Sequence, residues 1–168
     1  MGHQEHRAKA PKVLRVAVLS VSSTRALAED ESGHWIAEQT RSRGHTVVAH
    51  QVVPDNTEAI RQAVLEMLAD TDPQTVIVTG GTGISPKDVT IEALQPQFDK
   101  ELSGFGPLFA QLSFDQVKSA AIISRATAGI IGSAIVFCLP GSLKACQLAC
   151  TTLIFPELGH LVAHARGE

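Results

Sequence analysis

Tyrosine is missing from this chain, and tryptophan occurs once. A platform of stacked aromatic rings for single-stranded nucleic acid is therefore excluded. Net positive charge is missing too. The formal charge is −3, so neither a phosphate backbone nor an acidic membrane surface is attracted in bulk. No apolar run approaches the ~20 residues that a membrane-crossing helix needs, and no stretch reads as a signal peptide. Cysteine is scarce and odd in number: Cys138, Cys146 and Cys150 have neither zinc-knuckle nor CxxC spacing. Cys146 and Cys150 stand one helical turn apart and read as core. A reducing, cytoplasmic setting is expected, with no nucleic-acid or membrane partner.

What is present is a globular composition, 44% hydrophobic against 18% charged. A chain of 168 residues suits one domain, burying about two-thirds of its unfolded surface. Residues 1–12, with His3 and His6, read as a flexible, solvated tail, and 13–168 as a single domain. The two tail histidines are weak support for a metal.

Val13 to Val21 is apolar and β-branched, which predicts a buried strand. Asp30-Glu31-Ser32-Gly33 offers capping groups to a helix over about His34 to Arg43, closed by Gly44. A second strand, Thr46 to Val53, stops at Pro54. Ile60, Ala63, Val64, Met67 and Leu68 recur at helical spacing, and Asp55 with Glu58 forms a capping box in which Asp55 is the cap. Thr75 to Thr79 is the third strand. A short helix over Thr90 to Leu94 is cut by Pro96. Ser103 to Pro107 reads as a flexible turn before a helix over about Leu108 to Phe114, and Ala121 to Ser124 starts a further helix. Ala126 to Ile131 and Ala134 to Leu139, joined at Gly132-Ser133, read as a β-hairpin. The last main helix follows Ser142 and is interrupted by Pro156. Strand and helix alternate, and the strands are apolar throughout. The expected fold is therefore α/β: a three-layer α/β/α arrangement on a mostly parallel sheet with an antiparallel edge hairpin.

Ligands of such sheets bind beyond the carboxyl ends of the strands. Those ends carry Ser22, Ser23 and Arg25; then Asp55; then Thr79-Gly80-Gly81-Thr82-Gly83 with Lys87 and Asp88; then Pro140-Gly141-Ser142 with Lys144. The glycine stretch fits a backbone cradle for phosphate, or simply a tight turn after a buried strand. Lys144 opposes the helix dipole unless an anion sits at that helix start, or it points into water. Phe105, between Gly104 and Gly106, forms either a wall for a flat ligand or an ordinary turn over the core. Asp55 and Asp88 are either helix caps or a carboxylate pair suited to Mg²⁺ with substrate phosphates. There is no GxxxxGK[ST] loop, the GxGxxG pattern is incomplete, and no serine has an evident histidine partner.

Thr79-Gly80-Gly81-Thr82-Gly83, Asp88-Val89-Thr90, Ser103-Gly104-Phe105-Gly106 and Leu139-Pro140-Gly141-Ser142 together resemble the MoaB/MogA family of molybdenum cofactor biosynthesis. Val53-Pro54-Asp55 and Asp30-Glu31-Ser32-Gly33 match as well, so the resemblance runs from about Val13 to Leu158. Leu112-Ser113-Phe114 places it nearer MoaB. The resemblance implies a molybdopterin adenylyltransferase that uses ATP, molybdopterin and Mg²⁺, assembled as a homotrimer or dimer of trimers and working beside other proteins of the pathway. It implies that Asp55 and Asp88 are catalytic and hold Mg²⁺. Phosphate binding then falls to Ser22, Thr79, Gly80, Gly81, Thr82, Gly83, Gly104, Phe105, Gly106, Pro140, Gly141, Ser142 and Lys144. A catalytically silent pterin- or nucleotide-binding protein of the same pathway is the alternative. Pro107, where some members carry glutamate, and Ile91, where active members often carry proline, depart from the pattern.

Overall fold

The computed structural model describes residues 12–167. The tail expected over 1–12 lies outside the described residues apart from Lys12. In chain order the elements are β1 (Arg15–Val21), α1 (Glu31–Ser42), β2 (Thr46–Val53), α2 (Thr57–Thr71), β3 (Thr75–Thr79), α3 (Thr90–Leu94), β4 (Lys100–Glu101), α4 (Phe105–Val117), β5 (Thr127–Ile131), β6 (Ala134–Leu139), α5 (Leu143–Ala149) and α6 (Leu158–Arg166).

The strands form one sheet in the order β2-β1-β3-β6-β5-β4. β2, β1, β3 and β6 are parallel, whereas β5 runs antiparallel to β6 and β4 to β5. The period of two along β1 divides its side chains between the faces. Val16 and Val18 join a core with Ile36 of α1, Phe109 of α4, Cys146 of α5 and Val162 of α6. Ala17, Leu19 and Val21 join a second core with Ile60, Val64 and Met67 of α2 and Leu94 of α3. Helices therefore cover both faces, and the apolar strands are buried between them as expected of a parallel sheet.

Several boundaries moved. β1 begins at Arg15, where its pairing with Thr46 of β2 begins, and Val13, 60% exposed, lies outside it. α1 begins three residues early because the Asp30 carboxylate caps it by accepting from Gly33 N–H (3.0 Å). Asp55 does not cap α2; Asn56 does, accepting from Ala59 N–H at 2.9 Å. The turn expected over Ser103 to Pro107 is largely helix. α4 starts at Phe105, which places Pro107 in the first turn, where a missing N–H costs nothing. The further helix expected at Ala121 is a 3₁₀ segment over Lys118–Ile123. The hairpin β5–β6 forms the antiparallel side of the sheet as expected, and the two-residue strand β4 extends that side by one strand. After α5 a π-helical turn, Cys150–Ile154, leads to α6.

Register decides where function can lie. Val21 pairs with Val53, Ser20 with Thr79, and Thr79 with Leu139. The carboxyl ends of all four parallel strands consequently share one rim. No single helix among the described residues is long and apolar enough to cross a membrane.

Candidate functional site

A cavity of about 440 Å³ opens at that rim, and its lining includes Ser22, Arg25, Asp30, Asp55, Thr79, Gly80, Gly81, Lys87, Asp88, Gly141 and Ser142. The loop after β3 is its floor. Gly80 has φ +98°, and a Cβ there would lie 2.3 Å from the Val21 carbonyl oxygen. Only glycine permits both the dihedral and the approach. Gly80 N–H donates to the Leu139 carbonyl (2.9 Å) and so is unavailable to a ligand. Among the described residues the N–H groups of Gly81, Thr82 and Gly83 donate to no protein acceptor; of the three only Gly81 lines the cavity, and its N–H is left for an anion, while Thr82 is 1% exposed. Thr90 of α3 holds the loop from behind: its hydroxyl donates to Gly80 O (2.8 Å) and its N–H to Gly81 O (2.9 Å).

Asp55 and Asp88 flank this loop. A Cβ built on Gly81 would lie 3.4 Å from Asp55 Oδ1, and one on Gly83 would lie 2.7 Å from Asp88 Oδ2. Asp55 Oδ2 accepts from Ser23 N–H (2.9 Å) and Ser23 Oγ–H (2.7 Å). Asp88 Oδ2 accepts from Ser85 N–H (2.9 Å). α3 begins at Thr90 with no side-chain cap, so Asp88 belongs to the loop and not to the helix. Each aspartate thus has one oxygen held by the protein, and its Oδ1 accepts no protein hydrogen bond among the described residues. Two hard oxygen donors beside free backbone N–H groups match what Mg²⁺ takes from a protein when substrate phosphates complete its shell. Among the described residues no group of three or more His, Cys, Asp and Glu side chains converges as a self-sufficient metal site.

Asp30 adds a third carboxylate. It is 4% exposed and accepts from Ser20 Oγ–H (2.5 Å), His50 Nε2 (2.7 Å) and Gly33 N–H (3.0 Å). Burial pushes its carboxyl up, but the bonds from His50, Ser20 and Gly33 together outweigh this and hold it below the ordinary range. A Cβ on Gly33 would fall 2.0 Å from Asp30 Oδ2 and 2.5 Å from His50 Nε2, so the cluster exists only because residue 33 has no side chain. With Arg25 and Lys87, the cavity carries three acidic and two basic side chains.

Arg125, just before β5, is a further contributor. Its Nε–H donates to Thr82 O (2.9 Å), one Nη to Gly83 O (2.8 Å), and the other Nη to Glu92 Oε1 (2.7 Å). The hydrogen bond and charge of Arg125 hold the Glu92 carboxyl below its usual value. By capturing the Thr82 and Gly83 carbonyls, the guanidinium fixes the peptide units that carry the Gly83 and Ile84 N–H groups, while Thr90 fixes those that carry the Gly81 and Thr82 N–H groups. Sequence reasoning missed Arg125, Thr90 and the Ser20–Asp30–His50 cluster. An arginine directly before an apolar strand was the available signal for the first.

The remaining expected residues divide. Thr79 Oγ1 donates to Pro140 O (3.0 Å), tying the ends of β3 and β6 together beneath the cavity. Ser22 Oγ accepts from Arg25 N–H (3.2 Å) and shapes the turn after β1. Gly141 O accepts from Ser32 Oγ–H (2.9 Å), and Ser142 caps α5 by accepting from Ala145 N–H (3.2 Å). Lys144 lies elsewhere, lining a separate cavity with Gln116, Gln147 and Thr151. Two positions beyond the cap, helical rotation carries it off the rim. Gly104, Phe105 and Gly106 do not line the cavity either. Phe105 is 8% exposed and packs on Phe137 with centroids 5.2 Å apart, so the ring is core and not a ligand wall.

A family model described as a probable molybdopterin binding domain matches residues 17–160. Molybdenum cofactor biosynthesis protein B of Bacillus subtilis is 44% identical over 169 residues, covering 100% of this chain and 99% of that protein. Its counterpart in Escherichia coli K12 is 42% identical over 144 residues, 86% of this chain and 85% of that protein. The crystal structure of the tungsten cofactor synthesizing protein MoaB from Pyrococcus furiosus superposes with a TM-score of 0.86 at 39% identity, covering 94% of this chain and 99% of that one.

Proposed function

The chain belongs to the MoaB/MogA family of molybdenum cofactor biosynthesis proteins, and from that membership we propose that it is a molybdopterin adenylyltransferase. The terminal phosphate of molybdopterin attacks the α-phosphorus of ATP. A new P–O–P linkage forms, the bond to the β-phosphate breaks, and pyrophosphate leaves. The observation that carries this reading is the pairing of Asp55 and Asp88 on either side of a glycine loop with free N–H groups.

A phosphate nucleophile is already anionic at neutral pH, so no strong general base is required. The difficulty is bringing two anions together in line. The free N–H of Gly81, at the cavity floor, receives a phosphate oxygen without the reorganisation that water would need. Lys87 and Arg25, both exposed at the cavity, draw the anionic substrates in. Ser23 and Ser85 each hold one carboxylate oxygen, which directs the other of each pair toward the ligand. Mg²⁺, held by Asp55 and Asp88 with nucleotide phosphate oxygens, would supply charge neutralisation.

Self-association belongs to the same reading. Leu108, Phe114, Val117, Ile122 and Ile123 are all at least half exposed and fall within α4 and the 3₁₀ segment after it. So much exposed apolar side chain in one stretch fits a surface covered by another copy, in the trimer or dimer of trimers that the resemblance implies.

Incubation with molybdopterin, ATP and Mg²⁺ should give adenylylated molybdopterin and one pyrophosphate per turnover. Binding of either substrate without product, under conditions in which an active relative works, would establish the silent binding protein instead.

A further inference from the structure

A second cavity, of about 470 Å³, opens at the β2 end of the strand rim. Ser22, Ser23, Arg25 and Val52 line both it and the first, so the two are lobes of one cleft. Each has the size of a small-molecule site. Their chemistry differs. The first lobe holds the carboxylates and the glycine loop. Among the described residues no acidic side chain lines the second, and Ala26, Leu27, Val52 and Pro54 give it apolar walls. Leu27 is 44% exposed, an apolar side chain left open at the cavity.

β2 is an edge of the sheet and pairs only with β1. The Val53 carbonyl accepts from Ser22 N–H (2.8 Å), so the backbone groups of residue 53 point toward β1. Alternation along the strand then turns the N–H and C=O of Val52 and His50 outward. Among the described residues those groups have no hydrogen-bond partner, and both residues line the second lobe. The His50 carbonyl and the Val52 N–H thus set an acceptor beside a donor on an open strand edge. That edge is held in place. His50 Nε2 is bonded to Asp30 Oδ2 at 2.7 Å, and the His50 ring meets His34 edge to face with centroids 5.0 Å apart.

We propose that the second lobe holds a flat nitrogen heterocycle whose rim carries a donor next to an acceptor, an amidine or lactam edge. The His50 carbonyl accepts from it and the Val52 N–H donates to it. Leu27 and Pro54 supply apolar contact to the ring. Arg25, shared by both lobes, neutralises the phosphate chain that runs from the ring toward the glycine loop. The proposal rests on the two-substrate reading above, in which both rings carry such an edge: adenine an amino group beside a ring nitrogen, the pterin a ring N–H beside a carbonyl.

The test is calorimetric binding of AMP and, separately, of biopterin to the full-length protein, with no turnover involved. At least one should bind, and the probe that the variants weaken names the source of the ring. Val52→Pro removes the outward N–H without touching the ladder to β1, a substitution that edge strands accept. It should weaken that probe about tenfold, the worth of one well-made hydrogen bond. Leu27→Ala, at an exposed position, should keep the parental circular dichroism spectrum and weaken the same probe several-fold. The proposal is overturned if the parent binds neither probe, or if Leu27→Ala binds both as the parent does. Weaker binding by Leu27→Ala with no change in a folded Val52→Pro overturns the part given to the strand edge. Product formation is scored apart: a protein that binds a probe through this lobe but makes no adenylylated molybdopterin keeps the lobe and overturns the adenylyltransferase reading.

Discussion

Ser23 and Asp55 are joined in both directions across the strand rim. The Ser23 hydroxyl donates to Asp55 Oδ2 at 2.7 Å and accepts from Asp55 N–H at 3.0 Å, while Ser23 N–H donates to the same Oδ2 at 2.9 Å. This clasp joins the turn after β1 to the end of β2 and leaves Asp55 Oδ1 beside Gly81. Asp55→Asn keeps the shape but removes the charge. In the proposed adenylylation its rate should fall about 100-fold or more, the scale of losing one preorganised electrostatic group, with the melting temperature nearly unchanged. Ser23→Ala should cost less, about tenfold, because the carboxylate stays charged but loses its orientation. Equal rates for Asp55→Asn and the parent would remove Asp55 from the catalytic pair.

The Asp30 cluster predicts an acid-sensitive contribution to stability. Its folded carboxyl lies below the ordinary value of 3.8, so the unfolded chain takes up the proton first. The ionised carboxylate therefore stabilises the fold above that ordinary value, and the contribution fades as pH falls through the lower folded value. Asp30→Asn should be less stable than the parent at neutral pH in urea unfolding, and the gap should close under acid. Gly33→Ala tests the same place by steric means. Its methyl would fall 2.0 Å from Asp30 Oδ2, and overpacking with a disturbed buried pair should cost about 2–4 kcal/mol.

The layers and the shared rim were legible because apolar runs, capping residues and glycines act locally. Thr75 to Thr79 and the loop behind it could be read from the chain alone, since φ and packing demands there belong to single residues. Asp55 shows the limit. Its spacing to Glu58 satisfies a capping box, yet Asn56 takes the cap because Ser23, 32 residues earlier, holds the Asp55 carboxylate. Phe105 shows it again. Glycines on either side imply a turn, but burial against Phe137 recruits the segment into α4. Arg125 reaches Thr82 and Gly83 across more than 40 positions of chain, a partnership that no periodicity reveals.

That reach makes Arg125 a positioning residue with a distinct kinetic signature. Its fork spans two loop carbonyls and the Glu92 carboxylate, a geometry that a single ammonium does not reproduce. Arg125→Lys should retain charge but loosen the loop, so the KM for nucleotide should rise several-fold while kcat falls less. Arg125→Ala should do both. Glu92→Gln keeps the carbonyl contacts and should be the mildest of the three. If lysine fully restored nucleotide affinity, the loop would depend on charge alone and not on the fork.

Exposed apolar residues on α4 and the following 3₁₀ segment supply the last prediction. Ile122 is 87% exposed and Phe114 52%, so neither supports the folded chain through its own core. A charge at either position should leave the monomer fold intact, because no buried contact is lost. Desolvating an unpaired carboxylate inside an interface, in contrast, costs several kcal/mol. Ile122→Glu combined with Phe114→Glu should therefore shift the mass by light scattering from an oligomer to a single chain, with an unchanged circular dichroism spectrum. A parent that ran as a single chain, or a variant that kept an oligomeric parental mass, would overturn the interface proposed on this face.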